Sequence, residues 1–147
     1  MDLRNLPSFT QTFPGLEVQP AVSEYQDPTL ALIPRTLTGS LNTVYIRARE
    51  TFEVRFLIKS IFATYISTRL PHAPLNRLDE VFNLYSSDAR ISEYSLQYAE
   101  EFYVSGTAED YNRFIFYFLM TAVYQVYGKK ELKEFLKSIV DKLWVSE

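Results

Sequence analysis

The side chains that could do acid–base, metal or phosphate chemistry are few in this chain, and their spacing does not suit that chemistry. The single histidine, His72, lies between two prolines in LPHAP, and the nearest acids in sequence are Asp79 and Glu80. A general base or a metal ligand needs partners within reach, so a lone loop histidine reads as part of a helix connection. No Glu-x-x-His or His-x-x-x-His pattern is present, and both a carboxylate-bridged metal pair and a zincin-type site need one. The chain has no cysteine, hence no thiolate ligand, thiol nucleophile or disulfide framework. None of its four glycines stands in a phosphate-binding loop.

Carboxylates do come in pairs, at Asp79-Glu80, Glu100-Glu101 and Glu109-Asp110. Neighbours on a helix point about 100 degrees apart, so a doublet is not an acid/base pair. Glu109 and Asp110 read instead as first-turn acids favoured by a helix dipole. The expectation is a protein that is not an enzyme and uses no cofactor and no metal.

Basic residues offer a second chemistry. Arg47, Arg55, Lys59 and Arg69 fall on the first long helical stretch, and Lys133 and Lys137 on the last. They are the candidate contacts for a nucleic acid. Arg49 has Glu53 one turn away as a partner, and phosphate tracking needs a continuous basic stripe. A net charge of −3 and a pI near 5.3 make a poor electrostatic footprint for that role. Nucleic-acid association is therefore the alternative reading rather than the leading one.

Charge is segregated along the chain. Residues 1–28 carry −3, residues 29–77 carry +5, residues 78–110 carry −7 and residues 111–147 carry +2. Such blocks pair within a fold, or they face copies of the chain or a partner, where complementary potentials set register and partner choice.

The elements that must position these residues read as helices. LNTVYIRARETFEVRFLIKSIFATYISTRL runs without Pro or Gly to Leu70, with candidate caps at Thr38, Ser40 and Asn42. Leu41, Tyr45, Ala48, Phe52, Phe56, Ala63, Ile66 and Leu70 form one stripe along it. Shorter amphipathic helices follow over 75–85 and from Ser87 or Ser92 through Phe102, with Gly106 as a stop. Thr107 and Asp110 approximate a capping box for a helix over 108–127. A last amphipathic helix, with Leu132, Phe135, Leu136, Ile139, Val140 and Leu143 on one face, occupies 129–144.

The aromatic stretch NRFIFYFLMTAVYQVY invites a membrane reading. Its uninterrupted apolar part, Phe114 to Tyr127, is 14 residues long, and a span needs about 20, so a buried core helix is expected and no transmembrane segment. The N-terminus has an acidic second residue and no apolar run of signal-peptide length. The expected location is intracellular or within an assembled particle.

Before the helices come 35 residues with five prolines, which bar a persistent helix or central strand. Strands are allowed there only as edge pieces, around LEVQPAV or TLALI. Yet the arm is punctuated by apolar residues, and Phe9, Phe13, Leu16, Val18 and Tyr25 are the candidate partner-binding set. The reading is all-α: a compact bundle of about five helices over 36–147, preceded by an extended Pro-punctuated N-terminal arm over 1–35. The implied function is a structural or interaction protein, a building block or accessory subunit of a larger assembly. A coat or virion component and a small subunit of a multiprotein complex both fit, with the arm clamping a neighbouring protein subunit.

Overall fold

Alternation decides the first third of the chain. In LEVQP and NTVYI apolar residues recur at every second position, the period of a strand with one face covered. A computed structural model, which describes residues 1–21, 31–36, 39–105 and 114–145, shows both as strands. β1 (Leu16–Pro20) buries Leu16, Val18 and Pro20, and β3 (Asn42–Ile46) buries Val44 and Ile46. Between them lies β2 (Ala31–Pro34), and β4 (Phe102–Ser105) comes much later.

The four strands form one mixed sheet in the order β3-β1-β2-β4. β1 runs parallel to β3, in register from Leu16 opposite Asn42 to Pro20 opposite Ile46. β2 is antiparallel to β1 and to β4, with Leu32 paired to Val18 on one side and Val104 on the other.

The fold is therefore α+β, which corrects the all-α expectation on two counts. Prolines did not confine the arm to a sheet edge, because Pro20 and Pro34 each stand last in their strand, where a missing amide costs no interior ladder bond. The arm accordingly supplies both inner strands. The first long helix also starts later than its periodicity suggests, since residues 42–46 pair with β1 before it begins. Gly15 lets the chain enter β1: its φ is +79°, and a Cβ there would lie 2.7 Å from the Ser40 carbonyl oxygen.

Among the described residues one short and five longer α-helices accompany the sheet. α1 (Phe9–Thr12) is a single turn. α2 (Ala48–Arg69), α3 (Leu75–Ser86), α4 (Asp88–Ala99), α5 (Ile115–Tyr127) and α6 (Lys129–Leu143) follow. Ser87 caps α4 by accepting from the Arg90 amide at 3.2 Å. Gly128, at φ +92°, ends α5 and opens α6. The Thr107/Asp110 capping box and the Gly106 stop lie outside the described residues.

α5 is the centre. Every residue from Ile115 to Val123 is buried, against α2, α4, α6 and the β3–β1 side of the sheet. At 13 residues it spans about 20 Å. No helix among the described residues is long and apolar enough to cross a membrane.

Candidate interaction surface

The arm residues expected to hold a partner are in the chain's own interior. Phe9, Phe13, Leu16 and Val18 are all buried, and Tyr25 lies outside the described residues. Phe9 is ringed by aromatics, with centroids 5.2 Å from Phe13, 6.2 Å from Tyr98, 5.8 Å from Phe102 and 6.0 Å from Phe135. The groove that such an arm needs is supplied by its own domain. A single carboxylate clips it in place: Glu101 accepts from the Ser8 hydroxyl (2.6 Å), the Phe9 amide (3.0 Å), the Thr10 amide (2.9 Å) and the Thr10 hydroxyl (2.6 Å). Tyr98 adds a bond from its hydroxyl to the Pro7 carbonyl at 3.0 Å.

The candidate nucleic-acid residues do not share one surface. Arg47 is exposed at the start of α2. Arg55 lies over the rings of Tyr117 (5.3 Å) and Phe114 (6.0 Å). Lys59 donates to the Ser86 carbonyl at 2.9 Å and stands 3.9 Å from Asp88. Arg69 is bound to Asp141 and stacks on Trp144 at 4.0 Å. Lys133 and Lys137 are the two that come together, with Lys129, in a groove between α2 and α6. His72 sits exposed in the turn between α2 and α3, and the described residues contain no group of three or more His, Asp or Glu able to hold a metal ion.

α2 carries two apolar stripes, and the structure buries the other one. Val54, Ile58, Ile61, Phe62 and Ile66 face the core, whereas Phe52 and Phe56 face outward, each 58% exposed. Phe62 goes inward with the β-branched side chains, and Phe52 and Phe56 are left outside. Of the stripe read from Leu41 to Leu70 only Ile66 is fully buried.

Phe52 also lines a largely apolar cleft. Ala48, Thr51, Phe52 and Arg55 of α2 face Phe114, Tyr117 and Phe118 across a cleft of about 350 Å³. Phe52 and Phe56 meet edge to face at 5.1 Å on its rim. Arg55 divides it from a smaller recess of about 160 Å³ that reaches Asp88, Ile91 and Ser92. At the dividing wall the Tyr117 hydroxyl is buried without a hydrogen-bond partner among the described residues. Burial pushes its pKa up, and the nearby Arg55 charge pulls it back.

The other buried tyrosines are satisfied internally. Tyr94 donates to the Tyr85 carbonyl (2.8 Å) and Tyr85 to the Leu143 carbonyl (3.2 Å). Burial raises the pKa of Tyr94 and of Tyr98 far above the ordinary phenol value. Tyr124 and Tyr127, by contrast, are exposed at the end of α5, where Tyr127 lies on the Phe13 ring at 5.0 Å.

No protein-family model, no curated protein and no solved structure matches this chain.

Proposed function

We propose that the chain is a non-catalytic structural or interaction protein, a building block or accessory subunit of a larger protein assembly. The observation that carries this reading is the aromatic rim of the α2–α5 cleft. Two phenylalanines in mutual contact, each more than half exposed, leave a sizeable apolar area in water beside a concavity. Contiguous exposed apolar surface of this kind marks interaction sites, and buried aromatic anchors dominate the energetics of protein interfaces. The cleft suits an apolar side chain of a protein partner, with Arg55 at its inner wall to bond a carbonyl or carboxylate beside it.

The surface proposed to meet the partner is Phe52 and Phe56, because Phe9, Phe13, Leu16 and Val18 of the arm are spent on the chain's own core. Photo-cross-linking tests it. A photoreactive phenylalanine analogue at position 56, in cells that carry the protein naturally, is expected to give a discrete protein adduct. The same analogue at position 75, still more open to solvent but outside the lining of the cleft, is expected to give none. Adducts from neither position, or equally from both, would contradict the reading.

A further inference from the structure

Two features of the surface match each other in charge, length and apolar content. The first is the groove between α2 and α6, about 230 Å³ in volume. Lys129, Lys133 and Lys137 line one wall, and Ser60, Thr64 and Thr68 line the other. Each set repeats every fourth residue, so each runs along one helix face for about 12 Å. Leu57, Ile61 and Tyr65 form the apolar floor. Lys129 and Lys133 make no ion pair among the described residues, while Lys137 stands 3.9 Å from Glu134 and 5.4 Å from the Tyr65 ring. The Arg69–Asp141 pair and the Tyr65–Asp141 hydrogen bond close one end.

The second feature is the outer ridge of α4. Glu93, Leu96 and Glu100 lie at positions i, i+3 and i+7, all exposed, with Leu96 60% open to water. The two acids are about 10 Å apart along the axis and bracket the leucine. Glu100 has no bonded cation among the described residues, and Glu93 accepts from Arg90 at 2.6 Å. A leucine this exposed between two carboxylates has the pattern that an apolar floor with a lysine wall accepts.

We infer that the α4 ridge of one copy docks into the α2–α6 groove of a second copy, Leu96 on the Leu57–Ile61 floor and the carboxylates against the lysines. The helix dipoles set the direction. Glu100 sits at the negative C-terminal end of α4 and Lys129 at the positive N-terminal end of α6, so Glu100 meets Lys129 and Glu93 meets Lys137, with the two helices antiparallel. Ridge and groove are different surfaces, which makes the contact heterologous: repeated, it closes a ring or extends a filament. This rests on the assembly reading above and names its partner as the chain itself.

Charge exchange tests it by sedimentation equilibrium. The wild type is expected to gain mass with concentration at about 50 mM salt and to fall back toward 17.2 kDa at about 500 mM, where screening is short-ranged. Lys129→Glu/Lys137→Glu makes both lysines that meet the ridge acidic like the ridge itself, and Glu93→Lys/Glu100→Lys makes ridge and groove both basic. Each variant alone is expected to bind itself at least about tenfold more weakly, a loss in the range of rim charge pairs. Their equimolar mixture is expected to regain the wild-type mass, since every contact in it is again complementary, and this gain also excludes misfolding as the cause of the loss. A mixture that stays monomeric would overturn the inference. So would a monomeric wild type whose lysine groove retains a single-stranded oligonucleotide, which assigns the groove to phosphates. Wild-type self-association untouched by either variant sinks the inference but leaves the assembly reading standing. A monomer throughout, with no adduct from position 56, removes both.

Discussion

Glu100 and Glu101 are chemically identical neighbours with opposite duties. Glu101 holds four donors from Ser8, Phe9 and Thr10, while Glu100 points to water. Glu101→Ala leaves amide and hydroxyl donors of a half-buried turn unpaired and is expected to cost about 2–4 kcal/mol in urea unfolding, charge-assisted bonds being the strong kind. Glu100→Ala is expected to stay within about 0.5 kcal/mol of wild type, as exposed substitutions do. Equal effects would contradict the clip. The doublet was visible in the sequence, but its asymmetry was not, because it depends on a turn more than ninety residues away. Phe52 and Phe56 were visible too, as part of a stripe, but the side of the helix that faces water was not. Two apolar stripes compete on α2, and only tertiary packing selects the one through Val54, Ile58 and Phe62.

At the scale of elements, what could be read was whatever local pattern decides. The last helix, the break at Gly128, the Ser87 cap and the burial of the Ile115–Val123 segment follow from periodicity and capping. The sheet did not, since its bonds join residues 16–20 to 42–46 and 31–34 to 102–105, and proline spacing gave the opposite advice. Because β1 lies inside the sheet and Phe9 and Phe13 lie in the core, removal of residues 1–21 is expected to abolish cooperative thermal unfolding and the near-ultraviolet tyrosine signal. A truncated chain that still melts cooperatively would show the helices to be independent of the arm. Gly15→Ala probes the same junction. Its left-handed φ and the 2.7 Å approach to the Ser40 carbonyl predict a loss of about 1–3 kcal/mol in chemical denaturation. A neutral effect would mean that the turn into β1 is adaptable.

The whole molecule carries a tyrosine-rich core, and this sets its response to pH. Tyr94 and Tyr98 have folded-state pKa values raised above the ordinary 10.0 by burial. The unfolded chain therefore releases these protons first, and stability present below about pH 10 is lost as pH rises beyond it. Absorbance of ionised Tyr94 and Tyr98 is expected to appear in one cooperative step with unfolding. A smooth titration of all tyrosines near their ordinary value would contradict the burial. The surface carries the functional claim, with an aromatic cleft on one side and matched basic and acidic features elsewhere. The most direct measurement is the mass of the native species that contains this chain, taken by light scattering on gently fractionated extract from its own source. The proposed role predicts a particle several times heavier than 17.2 kDa; recovery of the chain only as a free 17.2 kDa monomer would contradict it.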